Sequence, residues 1–252
     1  MYRNLLVYIT HPHVETWNFK AHHRDRILSA FPKLDVKVCR NSHEFLKHLP
    51  SSEAVIIWYF KKEWMEKAKL LKMIATPAAG RDWIETDFTR TNLKILNGGF
   101  HGPMIAESVI GAMLYFCKAF AISKHLQSRK KWGRAKISQA LLSLQGSRVT
   151  IWGFGKIGKE IGRKLKPFEC SITGIKQNPE KDNPDYFDHL DQIIVSEDAL
   201  DKTLKKTDHL ILTLPRGPKT TGILTRKRFN LLPSSCYLYN VGRGNVYFLA
   251  NL

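Results

Sequence analysis

Apolar residues in the first hundred positions fall in short runs: "LLVYIT" at 5–10, "DVKVCR" at 35–40, "AVIIWY" at 54–59, "LKMIAT" at 71–76 and "LKILNG" at 93–98. Short runs rich in aliphatic and β-branched residues predict buried strands. Longer segments of mixed polar and apolar character separate them, around 21–30, 43–49, 62–70 and 82–91, and predict helices. Strands alternating with helix-length segments imply a parallel sheet covered on both faces. The alternation pauses at "NGGFHGP" (97–103), whose glycines and proline suit a linker. The stretch "MIAESVIGAMLYFCKAF" (104–120), interrupted by Glu107 and Lys118, reads as a buried helix. A second alternating series then begins, with strands expected at 149–152, 171–176, 192–195, 208–214 and 236–241. The pattern predicts an α/β protein of two doubly wound parallel-sheet domains, over 1–98 and 99–252.

Composition changes this picture only in its charge. Forty Lys and Arg stand against 22 Asp and Glu, a net charge of +18. The basic residues are spread along the chain, with short clusters such as "SRKKWGR" (128–134) and "TRKRF" (225–229). No basic amphipathic helix interleaved with stacking aromatics stands out, so nucleic acid is not the expected partner. Attraction for anionic cofactors and substrates is the more economical account. The amino-terminal apolar run is too short for a signal peptide, and the 104–120 stretch is too interrupted for a membrane span. A cytoplasmic protein without a membrane partner is expected. Cys39, Cys117, Cys170 and Cys236 form no CxxC pair and read as buried, reduced thiols.

The strongest local signal is "VTIWGFGKIGKEIG", beginning at Val149. An apolar strand runs into Gly153-x-Gly155-x-x-Gly158 and then into a helix carrying Ile161 and Leu165. In this arrangement Gly153 makes the tight turn, Gly155 lets backbone approach a pyrophosphate, and Gly158 allows helix to pack on strand. The helix start adds unpaired N–H groups for the phosphates. A dinucleotide is the expected cofactor. An acidic residue about 20 positions further on normally binds the ribose hydroxyls of NAD. Here Lys176 falls in that place, followed by Gln177, with no carboxylate until Glu180. A lysine suits a 2′-phosphate, which favours NADPH over NADH while leaving NADH possible.

With the fingerprint placed, nearly the whole chain resembles the D-isomer-specific 2-hydroxyacid dehydrogenases, in particular the glyoxylate/hydroxypyruvate reductase branch. The segments that carry the resemblance are "LKMIATPAAGRDWIE" (71–85), "FHGPMIAESVIGAML" (100–114), "LILTLPRGPKTTGIL" (210–224) and "LLPSSCYLYNVGRGNV" (231–246). The resemblance implies a flavodoxin-like substrate-binding domain over 1–98, missing its C-terminal return, and an NAD(P)-binding Rossmann domain over 99–252, incomplete at its carboxyl end. It also implies hydride transfer between NAD(P)H and C2 of a small 2-oxo acid. The family's substrate-holding arginine maps onto Arg243. Ala79 and Gly80 should face the substrate carboxylate, and Trp58 could wall the pocket. Lys156 and Ile157 should lie over the pyrophosphate, with Leu214, Val241 and Gly242 beside the nicotinamide. A homodimer through the helix starting near Met104 is also implied, with Ala106, Ile110, Leu114 and Cys117 as small or apolar positions on it.

The chain departs from the family pattern at Gly217, where Thr is usual, and at Phe248, where Asp is usual. The family's Glu and its His, the latter in a Thr-Pro-His context, follow the arginine by a helix and a strand, beyond Leu252. The expectation is therefore a reductase impaired by their loss, or a fragment of a longer enzyme. The alternatives are an inactive dinucleotide-binding or redox-sensing protein and a decayed gene product. His11 and His13, like His22 and His23, have no clustered acidic or cysteine partner and read as loop or surface residues. His101 is a remote candidate for the proton donor. The strand at 236–241 would form an edge.

Overall fold

Every strand pairing among the described residues is parallel, and the pairings close into two five-stranded sheets. The computed structural model describes residues 2–86, 92–179, 181–248 and 250. The chain divides into two units, Met1–Gly98 and Gly99–Leu252. Residues 87–91 of the helix expected over 82–91, Glu180, Leu249 and residues 251–252 lie outside the described residues.

The first unit holds β1 (Asn4–Tyr8), β2 (Asp35–Val38), β3 (Ala54–Ile57), β4 (Met73–Thr76) and β5 (Lys94–Asn97), in the order β2-β1-β3-β4-β5. This 2-1-3-4-5 order is one of the two common doubly wound arrangements. Leu5, Leu6 and Val7 are buried in succession because both faces of the sheet are covered. Phe45, Leu49, Phe60 and Trp64 pack one face, and Phe19, Ile27 and Leu28 the other. Helices α1 (Ala21–Ala30) and α2 (Ser42–His48) lie where the polar–apolar pattern placed them. The Asn41 side chain caps α2 by accepting from the Glu44 N–H at 2.9 Å. Two expectations are corrected. The segment 62–70 forms only a 3-10 turn over Lys62–Glu66, which buries Trp64 and Met65. Residues 82–86 are not helical, because Ile84 bridges to Phe60 and the Phe60 N–H donates to the Trp83 carbonyl at 2.9 Å.

The second unit holds β6 (Arg148–Trp152), β7 (Ser171–Ile175), β8 (Gln192–Ile194), β9 (His209–Leu212) and β10 (Tyr237–Asn240), in the order β10-β9-β6-β7-β8. The first strand is central, flanked by the second and the fourth, as in a Rossmann sheet. The β6–β9 seam is tied by Arg148, whose Nε and Nη2 donate to the Asp208 carboxylate at 3.0 and 2.7 Å, and by the Thr150–Thr207 hydroxyl pair at 2.7 Å. Helices α3 (Gly102–Cys117) and α6 (Lys156–Leu165) cover one face. There Ala106, Val109 and Met113 join Ile151, Ile161 and Leu165 in one core.

The expected single helix to Phe120 is broken. Ala119 takes a left-handed conformation (φ 52°), and α4 (Phe120–Ser128) leaves at 64° to α3. A third helix, α5 (Arg134–Ala140), follows. Nor is α3 buried all round: Met104, Tyr115 and Phe116 are exposed on its other side. No single helix among the described residues is long and apolar enough to cross a membrane. Helix α7 (Glu197–Leu204) is capped by Ser196, and α8 (Arg226–Phe229) is a single turn. The four cysteines are unpaired, and burial pushes the thiols of Cys39, Cys170 and Cys236 up to about 11. A thiol so placed is a packing group, not a nucleophile.

Candidate dinucleotide site

In a parallel doubly wound sheet, ligands bind beyond the carboxyl ends of the strands, where the order of connection reverses. In the second unit that place is the end of β6 beside β9. Gly153 leaves β6 with φ +104°, a conformation only glycine adopts without strain. A Cβ there would also meet Thr213 Oγ1 at 2.8 Å and the Leu214 nitrogen at 3.0 Å. Thr213 clasps the turn by donating its hydroxyl to the Gly153 carbonyl at 2.6 Å. At Gly158 a Cβ would press on the Gly153 carbonyl at 2.9 Å, so this glycine lets α6 seat against the strand.

Gly155 differs from both. It is exposed, and a Cβ would meet only the Gly153 oxygen, at 4.0 Å. No side chain caps α6, whose first residues are Lys156 and Ile157. An open space at the bare start of a helix is the cradle a pyrophosphate needs, and the residues present fit that group. Between the glycines, Phe154 is fully buried, its ring tilted against that of Phe187 with centroids 5.6 Å apart.

A cavity of about 620 Å³ extends from this turn. Ile175, Leu214, Pro215 and Ile223 supply apolar wall, and among the described residues Lys176, Lys219 and Glu197 are its charged side chains. Lys176 follows β7, its N–H donating to the Ile194 carbonyl at 3.0 Å. Trp152 also lines the cavity and carries the Arg228 guanidinium over its ring at 5.6 Å. Arg228 in turn pairs with Glu197 at 3.2 Å and Asp201 at 3.1 Å.

Arg243 is placed from the neighbouring strand. A Cβ at Gly242 would meet the Leu214 oxygen at 2.6 Å and its nitrogen at 2.8 Å, so Gly242 lies directly on the backbone of that segment. Thr213 and Leu214 are thus held between Gly153 on one side and Gly242 on the other. The Asn240 side chain braces the next turn, with Oδ1 accepting from the Gly242 N–H at 3.0 Å and Nδ2 donating to the Arg243 carbonyl at 3.1 Å. Val241 continues the ladder, its N–H donating to the Leu212 carbonyl at 3.0 Å. The expected cofactor and arginine residues of this unit therefore gather at one sheet edge. Thr213, Lys219 and Asn240 were not anticipated. Only Asn240 left a readable sign, an Asn two positions before a glycine in a turn.

Both departures from the family pattern are accommodated. Gly217 has room for a side chain, since a Cβ would meet only Thr220 Oγ1 at 3.9 Å. The Phe248 ring lies against Gly222, which sits at φ +64°.

In the first unit, Trp58 follows β3, and Ala79 and Gly80 follow β4, at the carboxyl end of their own sheet. Asn97 tethers that loop, its Nδ2 donating to the Ala79 carbonyl at 2.5 Å and its Oδ1 accepting from Arg81 Nε at 3.2 Å. The indole Nε1 of Trp58 is buried without a hydrogen-bond partner, and the ring lies 5.6 Å from that of Trp17. His11 is a loop brace: its Nδ1 accepts from the N–H groups of His13 and Val14 at 3.3 and 3.1 Å. No group of three or more potential metal ligands occurs among the described residues. The His101 ring lies tilted against that of Phe100, with centroids 4.1 Å apart.

A glycine turn, a bare helix start and a cavity at the switch point of a parallel sheet define a dinucleotide-binding unit. Residues 110–252 match the family model for the D-isomer specific 2-hydroxyacid dehydrogenase, NAD binding domain. The chain belongs to the D-isomer-specific 2-hydroxyacid dehydrogenase family. It is 27% identical over 214 residues to a mitochondrial formate dehydrogenase of Solanum tuberosum, covering 81% of this chain and 54% of the relative. To a hydroxypyruvate reductase of Thermotoga maritima it is 25% identical over 225 residues, covering 88% of this chain and 64% of the relative. A D-isomer specific 2-hydroxyacid dehydrogenase family protein of Aeromonas salmonicida subsp. salmonicida superposes with a TM-score of 0.78 at 24% identity, over 99% of this chain and 76% of that one. The chain spans about half the length of the curated formate dehydrogenase it matches.

Proposed function

We propose that the chain binds a nicotinamide dinucleotide along the carboxyl edge of its second sheet and takes part in reducing a small 2-oxo acid of the glyoxylate or hydroxypyruvate type. The observation that carries this reading is the stack of Gly153, Thr213–Leu214 and Gly242, the last being the residue before Arg243. Residues 99–252 serve as the cofactor domain and 1–98 as the substrate domain. Gly155 and the starting residues of α6, Lys156 and Ile157, hold the pyrophosphate. Lys176 favours NADPH over NADH by meeting a 2′-phosphate. Leu214, Val241 and Gly242 flank the nicotinamide, which supplies the hydride when bound. Arg243 grips the substrate carboxylate with its planar fork; within the first unit, Ala79, Gly80 and Trp58 are the proposed substrate-binding residues.

Titrating NADPH and NADH into the 252-residue chain tests the cofactor half of this reading. Following nicotinamide absorbance after adding glyoxylate or hydroxypyruvate tests the rest. Oxidation that is lost in Arg243→Ala supports reduction by this site; oxidation unaffected by that change counts against it.

A second reading, a dinucleotide-binding or redox-sensing protein without turnover, is favoured by one observation. No histidine among the described residues lines the cavity, and His209 of the same unit is buried in the core. Tight NADPH binding with no oxidation by either acid would select it.

A homodimer through α3 is proposed on its open side. Ala106 and Cys117 are buried in the unit's own core, and Ile110 and Leu114 pack against that core, so these positions do not present the dimer face. Tyr115 and Phe116, with Phe120 at the start of α4, are exposed and apolar.

A further inference from the structure

We infer that Thr213 is a positioning residue for the pyrophosphate: its hydroxyl keeps the Gly153 carbonyl oxygen turned into the protein and away from the ligand. This rests on the dinucleotide reading above. Most of the turn's backbone is already bonded within the fold. The Gly153 and Phe154 N–H groups both donate to the Ile175 carbonyl, at 3.0 and 2.9 Å. The Gly155 N–H donates to the Gly153 carbonyl at 2.7 Å, and the Gly155 carbonyl accepts from the Lys159 N–H at 2.8 Å. The donors offered to a ligand are those of Lys156, Ile157 and Gly158, which open α6 and have no intrahelical acceptor. Gly155 contributes room, and these three contribute the hydrogen bonds.

The Gly153 carbonyl is the point where this arrangement can fail. Gly153 sits at φ +104°, and a glycine has the widest choice of backbone conformations, so its peptide is the one in the turn best able to rotate. Rotation would swing an oxygen with partial negative charge toward the phosphates of a ligand. The Gly155 N–H opposes this from inside the turn and moves with it. The Thr213 hydroxyl, donating to the same oxygen at 2.6 Å, opposes it from the neighbouring strand end. That residue is itself fixed: its N–H donates to the Trp152 carbonyl at 2.9 Å, and a Cβ at Gly242 would meet its carbonyl carbon at 3.1 Å. Gly158 closes the third side, since a Cβ there would stand 2.9 Å from the Gly153 oxygen and 3.4 Å from Thr213 Oγ1. Thr213, Gly153 and Gly155 all line the cavity, so the contact lies in its wall. Thr213 acts on the phosphates through the turn, without touching them.

The test separates the hydroxyl of Thr213 from its methyl group. NADPH and ADP, both of which carry a pyrophosphate, are titrated into the full chain by calorimetry, beside thermal melts of the unliganded protein. Thr213→Val keeps the shape and loses the hydroxyl; it should weaken both ligands by about fivefold, the scale of one hydrogen bond. Thr213→Ser keeps the hydroxyl and loses the methyl; it should bind within about twofold of wild type. Thr213→Ala beside Thr213→Ser isolates the hydroxyl in the same way should the valine variant not fold. The opposite pattern, with serine weak and valine like wild type, would make Thr213 a packing residue and overturn the inference. Affinity that follows the melting temperature across all the variants, or that none of them changes, overturns it as well. If wild type binds neither NADPH nor ADP, the dinucleotide reading and this inference fall together. If wild type binds and Thr213→Val binds equally well, only this inference falls.

Discussion

The ring of Phe154 occupies the space that a side chain at Gly174 would enter. Phe154 is the second residue of the glycine fingerprint, and Gly174 lies on β7. The same ring also approaches the Cβ position of Gly162 on α6, at 3.3 Å. The fingerprint turn is thus anchored downward into the core as well as opened outward to the cavity. Gly174→Ala should cost about 1–3 kcal/mol, the usual price of overpacking. Phe154→Leu combined with Gly174→Ala should recover part of that loss. Urea unfolding of the three variants measures both, and full additivity would show that the two positions do not share the space.

The glycines of the turn should separate stability from binding. Gly155→Ala adds a methyl group to open space, so the melting temperature should hardly move while dinucleotide affinity falls. Gly158→Ala forces a contact with the Gly153 carbonyl and with Ile151, and should destabilise the fold by about 1–3 kcal/mol. Calorimetric titration beside thermal melts would show the contrast. Equal loss of stability in both variants would mean that Gly155 is structural.

Acid should weaken the second unit through His209. This residue is buried, stacked at 5.5 Å on Tyr237 and 5.9 Å on Tyr239, and burial holds its pKa below the ordinary histidine value. The unfolded chain takes up its proton near pH 6.5, and the folded chain resists to lower pH. Between those two values the unfolded state binds more protons, so stability falls as pH falls; above 6.5 the group contributes no slope. Desolvation, with neighbouring cations behind it, also holds His23 and His48 low. The informative quantity is therefore the difference between wild type and His209→Phe. Urea midpoints from pH 7 down to pH 5 should converge or diverge with this sign: the variant loses less stability than wild type. Parallel curves would remove His209 as the cause.

The proposed dimer predicts its own disruption. Phe116→Glu with Phe120→Glu should shift sedimentation from dimer to monomer; Phe116 also stacks on Tyr237 at 5.9 Å, so Phe120→Glu alone is the change expected to leave the melting temperature in place. A dimer that survives both changes would place the interface elsewhere.

Much of the fold was legible because both sheets are buried on two faces. All ten described strands fall within the apolar runs of the sequence or overlap them, and α1 spans Ala21–Ala30 as the polar–apolar alternation indicated. What failed was local. The 82–86 segment has a helical mixture of residues, but its backbone is claimed by Phe60, a contact that spacing cannot reveal. The break at Ala119 lacks the usual glycine, since alanine there adopts the left-handed region. At the site, the three glycines announced themselves through strand and helix context. Thr213 and Gly242 did not, because their roles come from three strands ending side by side: β6, β9 and β10. Gly242 is required by close approach of the Leu214 backbone rather than by a turn, which a one-dimensional pattern does not show.

The position of the first strand in each sheet has a consequence for the order of assembly. In both sheets the earliest strand is interior, β1 between β2 and β3, and β6 between β7 and β9. A chain emerging from the ribosome therefore makes the central template first and adds neighbours to both of its sides. The first sheet has all five of its described strands by Asn97, some fifty residues before β6 begins at Arg148. Parallel pairing delays every rung until a crossover has been made, and such topologies fold slowly. The second sheet waits longest, because β6 finds β9 only after His209 has been synthesised. During that interval the bare edge of β6 is the segment most in need of protection, and slowing translation between Arg148 and His209 should raise its capture by chaperones.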